Sequence, residues 1–344
     1  MIDEHASDGH AGTAVGLDPG ADRANRLALA AILACAAWMT VAAPALAQGF
    51  PSRPIRLLVG FTAGGPTDIP ARFLADKLSA SLGTPVVVEN RPGAGSMLAT
   101  NEMLGQPRDG HTLVVCTYFD PVNTLLYRKA RYQVSDIAPV TLIARYDYAM
   151  AVAHSTPAAT IAEFIALGKT EPGRLNYGQL GIASTQNLLA KQLEKLSGAR
   201  MTAVTFKGSP EALQEVVAGR IDLYIGPPLV VMPLYEARKV KVLAVTGAAR
   251  LSSAPEAPTL KESGVPLVAF AFLGVCAGSG TPQPIIAELN SRIRPIVEAA
   301  DYRALIERSG SVPVASSPQE MQAVIDAAVR DAAPIITEFG LQVD

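Results

Sequence analysis

Gly64 and Gly65 follow the apolar run 55–59 and lead through Pro66 into Thr67 and Asp68. A short strand, a glycine pair and a helix-starting hydroxyl in that order aim bare backbone N–H groups and the positive end of a helix dipole at whatever lies above the strand. The chemistry on offer is the seating of a small anion. With Thr67 as N-cap, Pro70 falls at the third helical position, where its missing N–H costs no helical hydrogen bond. Taken alone, the segment reads equally well as an ordinary strand-to-helix turn.

Two further segments repeat the construction. Gly178 to Ala183 form a glycine-bearing loop after the run 175–177, with Ser184 as N-cap of a helix reaching Leu196. Lys207 and Gly208 follow the run 201–205, with Ser209 as N-cap, Pro210 at the first helical position and Gly219 past the helix end. Facing helix starts at the carboxyl ends of two sheets bind ligands in the crevice between them. The candidate contacts are Phe61, Thr62, Gly64, Gly65, Thr67 and Asp68 in the first loop, then Thr117, Tyr118 and Asp147 at strand ends. Gly181, Ala183, Ser184, Thr185, Gln186 and Asn187 come from the second loop, and Gly208 and Ser209 from the third. Neutral donors of this kind hold a carboxylate at modest cost. Asp120 or Asp147 would suit a ligand amine. Tyr118, Phe119, Tyr146 and Tyr148 suit either packing or the far end of a cleft that takes a bulky acid. Arg91 is either a charged ligand partner or a brace for its loop.

Catalytic sets are missing. No Gly-x-Ser-x-Gly elbow and no Gly-x-x-x-x-Gly-Lys-Ser/Thr loop occurs, and His111 and His154 stand apart from any cysteine or carboxylate pair at metal spacing. Both histidines are expected at the surface, with no cofactor implied. A net charge of −2 gives no basic face for nucleic acid. Cys116 and Cys276 each end an apolar run; buried free thiols are the simpler reading, although an oxidising compartment permits a disulfide.

Positioning these loops requires an α/β frame. The runs 55–59, 86–88, 112–116, 150–152, 175–177, 201–205, 222–225 and 240–245 alternate with helical spacing such as Leu74, Leu78 and Leu82, or Leu189, Leu193 and Leu196. The pattern predicts parallel sheets with helices on both faces. The stretch 139–150 offers a crossing to a second unit and the chain turns back near 267. One lobe then comprises 50–149 plus 270–344, the other 150–269, with a hinge and a ligand cleft between them. Residues 1–47 read as a cleaved export signal: Arg23 and Arg26, an apolar run from 27 to 43, and the small-x-small pattern Ala45-Leu46-Ala47, with a permanent anchor as the rival.

Several spaced segments resemble one family. Pro51-Ser52-Arg53-Pro54-Ile55, Gly64-Gly65-Pro66-Thr67-Asp68, Glu89-Asn90-Arg91-Pro92-Gly93-Ala94-Gly95, Asp109-Gly110-His111-Thr112-Leu113, Ala138-Pro139-Val140-Thr141, Lys207-Gly208-Ser209-Pro210 and Gly280-Thr281-Pro282 match, in order, the Bug family of periplasmic solute-binding proteins of tripartite tricarboxylate transporters. The resemblance implies a two-lobed type II periplasmic-binding fold, a monomer that closes on a small carboxylate and delivers it to membrane subunits. It places the carboxylate at 61–68 and 181–187. Where the family pattern has Gly-Ser-x-x-His this chain has Ala183-Ser184-Thr185-Gln186-Asn187, so Asn187 is the expected seat of selectivity. A sensor docking on a receptor, or an enzyme using Ser184, Asp68 or Asp222, are the alternatives.

Overall fold

Short apolar runs flanked by glycine and proline become strands, and they carry the three loops on their carboxyl ends. The computed structural model describes residues 49–128, 130–182 and 184–342, so the signal stretch and Ala183 lie outside the described residues. From Phe50 the order is β1 (Ile55–Val59), α1 (Asp68–Leu82), β2 (Val86–Asn90), α2 (Met97–Leu104), β3 (Thr112–Thr117), α3 (Phe119–Leu126) and β4 (Ile137–Asp147). Next come β5 (Ala149–Ala153), α4 (Ile161–Thr170), β6 (Asn176–Gln179), α5 (Thr185–Ser197), β7 (Thr202–Thr205), α6 (Ser209–Val217), β8 (Leu223–Gly226), α7 (Pro228–Glu236) and β9 (Val240–Val245). The chain finishes with β10 (Phe270–Gly278), α8 (Gln283–Glu298), α9 (Ala300–Glu307), β11 (Val312–Pro313) and α10 (Pro318–Glu338).

Two sheets result, in the orders β11-β4-β10-β3-β1-β2 and β7-β6-β8-β5-β9. They are mixed, which corrects the expectation of parallel sheets: β10 runs antiparallel to both β3 and β4, and β5 runs antiparallel to β8 and β9. The sequence pattern catches strand–helix alternation but not the strands that return without a helix. β4 is the main omission. Pro139 reads as a strand breaker, yet it pairs with Cys276 beside a register shift, where a missing N–H disturbs no regular ladder.

β1 and β3 are almost wholly buried, with Leu57, Val59, Leu113 and Val115 packed against Ala71, Leu74 and Leu78 of α1. Their apolar content fits strands covered on both faces. α1 stops at Gly83, whose φ of 64° is the left-handed conformation that closes a helix. α10 opens with a capping box between Ser317 and Glu320 and with Pro318 in its first turn.

The sheets are joined by two neighbouring crossings. β4 passes into β5 through Tyr148, while the return chain enters β10 at Phe270, which pairs with Asp147. Thr246 ties the crossings together: its hydroxyl accepts from Tyr148 N at 2.8 Å and donates to Ala269 O at 2.7 Å. Two other readings change. Cys116 and Cys276, on adjacent strands with Cα atoms 5.8 Å apart, form a disulfide rather than two free thiols. His111 is buried, not superficial; its Nε2 accepts from Ser52 N at 3.1 Å and its ring packs edge-on against Phe50.

Candidate functional site

The first loop is shaped by Asp68, a buried carboxylate at the first position of α1. Its Oδ2 accepts from Gly64 N at 2.9 Å and from Arg72 Nε at 2.8 Å, and its Oδ1 accepts from Asn90 Nδ2 at 2.8 Å. Burial pushes the carboxyl up, but the Arg72, Gly64 and Asn90 donors outweigh it and hold Asp68 below the usual carboxylate range. Thr67, expected as the cap, has helical backbone angles and makes no capping bond. Asp68 caps the turn by reaching backwards, so it is a brace and not a free ligand contact. Among the described residues the amides of Thr62, Gly65 and Thr67 then have no intramolecular partner.

The second loop is built from neutral groups. Ser184 caps α5 as expected, its Oγ accepting from Asn187 N at 3.2 Å and from Leu180 N at 3.3 Å. Asn187 is buried: its Oδ1 accepts from Tyr177 OH at 2.6 Å and its Nδ2 donates to Ile182 O at 2.8 Å. Each end of the amide thus makes one bond that holds the loop. Gln186 faces inward. In the third loop Gly208 precedes α6, and Ser209 Oγ lies 2.6 Å from the Tyr224 hydroxyl.

These segments meet around a small enclosed cavity of about 20 Å³, room for about one water. Thr62, Gly65 and Thr67 line it from the first loop, Leu180 and Gln186 from the second, and Ser209 from the third. Thr117 and Phe119 bring the start of α3, and Pro227 brings the start of α7. Five helix N-termini therefore converge, from α1, α3, α5, α6 and α7. A free helix N-terminus favours an anion by roughly 0.3–1 kcal/mol, but the first turns of α1 and α3 already hold the buried acidic side chains Asp68 and Asp120. Among the described residues Tyr146 is the only titratable group in the lining, and burial pushes its phenol upward, so that part of the wall stays neutral. Two buried polar atoms of the lining, Thr62 Oγ1 and Gln186 Oε1, have no hydrogen-bond partner among the described residues. Larger hollows, about 980 Å³ beside His154 and Lys241 and about 470 Å³ between α5 and α10, are bordered by fewer helix starts: that of α4 at Thr160 in the first, those of α3 and α5 at Tyr118 and Thr185 in the second.

The lobes touch at this cavity. A methyl group on Gly208 would lie 1.9 Å from Thr62 Oγ1, and one on Gly181 would lie 3.9 Å from Gly95 N. Phe61 and Phe119 stack edge-on at 5.1 Å and close the floor with Leu180.

Other sequence candidates fall elsewhere. Gly64 lines an outer groove beside Pro210, and Tyr118 and Thr185 face the groove along α10. The Tyr148 hydroxyl has Thr185 and Tyr146 as neighbours but no hydrogen bond of ordinary geometry. Asp147 sits at the crossing, where a methyl on Gly247 would lie 2.1 Å from its Oδ2. Asp120 is buried, accepting from Thr117 N at 2.7 Å, and Arg91 is engaged by Glu89 at 2.6 Å and Glu102 at 2.9 Å, so both are braces. Among the described residues no group of three His, Cys, Asp or Glu is placed to hold a metal. Sequence reasoning missed Leu180, Pro227 and Tyr224. The signal for Pro227 was present: Gly226-Pro227-Pro228 directly follows a strand, another strand-to-helix turn with proline in the first helical position.

A family model described as "Tripartite tricarboxylate transporter family receptor" matches residues 70–341. The chain belongs to this receptor family. The receptor is 34% identical to a Cupriavidus necator protein from the gbd 5′ region, over 93% of this chain and 98% of that one. It is 31% identical to BugT of Bordetella pertussis, over 87% and 93% of the two chains. Among solved structures, the R. palustris protein Rpa4515 with adipate has a TM-score of 0.81 at 32% identity, covering 85% of this chain and 98% of that chain. MatC of Rhodopseudomonas palustris with bound malate has 0.80 at 27% identity, covering 83% and 100%. These likenesses fix the fold as the two-lobed type II periplasmic-binding architecture and the family as one of periplasmic solute receptors, not enzymes.

Proposed function

We propose that the receptor captures a small organic carboxylate between lobes 50–149 plus 270–344 and 150–269, and delivers it to the membrane subunits of a tripartite transporter. The observation that carries this reading is the convergence of five helix N-termini on a cavity that, among the described residues, has no cationic side chain in its lining. Such a wall recognises an anion through backbone N–H groups and hydroxyls, without a permanent ion pair to slow release. The relatives solved with adipate and malate support the same ligand class. Contacts from both lobes are available only when the lobes meet, so the ligand biases the closed form by its differential affinity for it. Read as a cleaved signal, 1–47 supports a periplasmic location, and the Cys116–Cys276 disulfide suits that oxidising compartment.

Calorimetry and thermal unfolding against mono-, di- and tricarboxylates test the reading. A binding acid at 100 times its dissociation constant adds about 2.7 kcal/mol of stability. Silence from every acid in the screen would overturn it.

A further inference from the structure

Gln186 is 2% exposed at the second position of α5 and lines the cavity. Its Nε2 donates a long 3.4 Å hydrogen bond to the Tyr224 hydroxyl, which stands 2.6 Å from Ser209 Oγ. Among the described residues its Oε1 has no hydrogen-bond partner. Ser209 lines the same cavity, so the chain Gln186–Tyr224–Ser209 begins and ends at one ligand space.

A hydroxyl has one proton to give, so the direction of one bond in such a chain sets the direction of the next. The two faces of an amide are told apart by the same logic. When Ser209 gives its proton to a carboxylate, Ser209 must accept from Tyr224 and Tyr224 must accept from Gln186. One N–H of the amide is then committed to the tyrosine, which fixes the amide's orientation. The carbonyl oxygen of this cavity-lining side chain is left without a donor, and a buried acceptor without a donor is costly.

We propose that Gln186 is a specificity-determining residue: a carboxylate anchored at Ser209 orients the amide so that its carbonyl requires a donor from the ligand. The receptor therefore selects acids that also carry a hydroxyl or amino group over the same acids without one. This rests on the carboxylate reading above and names the ligand's second functional group. The Thr62 hydroxyl can donate or accept, and so does not replace Gln186 in this choice.

Matched pairs test it by calorimetry: lactate against propionate, malate or aspartate against succinate, and mandelate against phenylacetate. The donor-bearing member is expected to bind about tenfold tighter or more. Gln186→Met keeps the length of the side chain and removes both polar atoms; it should bring the ratio to about one by weakening only the donor-bearing acid. Tyr224→Phe frees the amide to turn, and should lower the ratio as well. The wild-type ratio decides even where a variant fails to fold. A wild-type ratio of one or below, or a ratio unchanged in Gln186→Met, overturns the proposal and leaves the carboxylate reading standing. Binding by no acid overturns the carboxylate reading and this proposal with it.

Discussion

The first and second loops perform one task with different materials. Each leaves a strand, turns at glycine and starts a helix whose amides face the cavity. In the first the turn is held by a buried carboxylate, Asp68, which gathers Gly64, Arg72 and Asn90. In the second it is held by neutral groups, with Ser184 on the helix start and Asn187 joined to Tyr177 and Ile182. The polar side chains most suggestive of ligand contact are thus spent on shape in both loops. The groups left for the ligand are backbone amides, hydroxyls and the amide of Gln186. What differs is the charge of the brace, and with it the response of each loop to acid.

Removing the two braces should separate the loops most widely. Asp68→Ala leaves the Gly64 amide without its acceptor and the Asn90 Nδ2 with only Phe61 O, and is expected to cost about 2–3 kcal/mol. Arg72 is half exposed, so the ion pair itself adds little to that figure. Asn187→Ala strands the Tyr177 hydroxyl and should cost about 1–2 kcal/mol. Denaturant unfolding at neutral pH checks the order. The same pair of variants reads the charge. The folded pKa of Asp68 lies below its ordinary value, so its stabilisation is complete above the unfolded pKa, about 3.9, and is lost as pH falls through the lower folded value. The penalty of Asp68→Ala should therefore shrink between pH 5 and pH 2 while that of Asn187→Ala stays level. Parallel curves would sink the distinction between a charged and a neutral brace.

The loops also meet, and that contact admits a second break. Gly208→Ala places a methyl within 1.9 Å of Thr62 Oγ1 across the cleft. Overpacking of this kind costs about 1–3 kcal/mol and falls on the closed form. The affinity for a carboxylate ligand should drop roughly 5- to 150-fold, with thermal unfolding of the free protein little changed. Thr62→Ala in the same chain removes the nearest atom and should restore part of the loss. An unchanged dissociation constant in Gly208→Ala would show that the loops do not meet around the ligand.

Local signals carried much of this arrangement and tertiary ones did not. The runs that became β1, β3 and β9, the cap at Ser184 and the glycine turn at Gly64 are written within a few residues of where they act. β4 was hidden because Pro139 is tolerated at a register shift that depends on β10, more than a hundred residues on. The disulfide depends on β3 and β10 being neighbours, which no spacing within either strand reveals. Asn187 is a similar case: its bond to the Tyr177 hydroxyl on the preceding strand is not legible from its position in the sequence.

The smallest effect tests the two helix starts themselves. Ser184 makes a capping bond and Thr67 makes none, though both stand before a helix that faces the cavity. Ser184→Ala should therefore cost about 1 kcal/mol of stability, the usual worth of an N-cap. Thr67→Val keeps the volume of the side chain and removes only an oxygen without a capping role, so stability should move by less than about 0.5 kcal/mol. Affinity should respond the other way round. Thr67 lines the cavity and Ser184 is buried behind it, so a ligand that uses the Thr67 hydroxyl loses a contact in Thr67→Val but keeps its backbone donors in Ser184→Ala. Equal losses of stability in the two variants would mean that Thr67 caps its helix after all, and that the backward reach of Asp68 is not what holds the first turn.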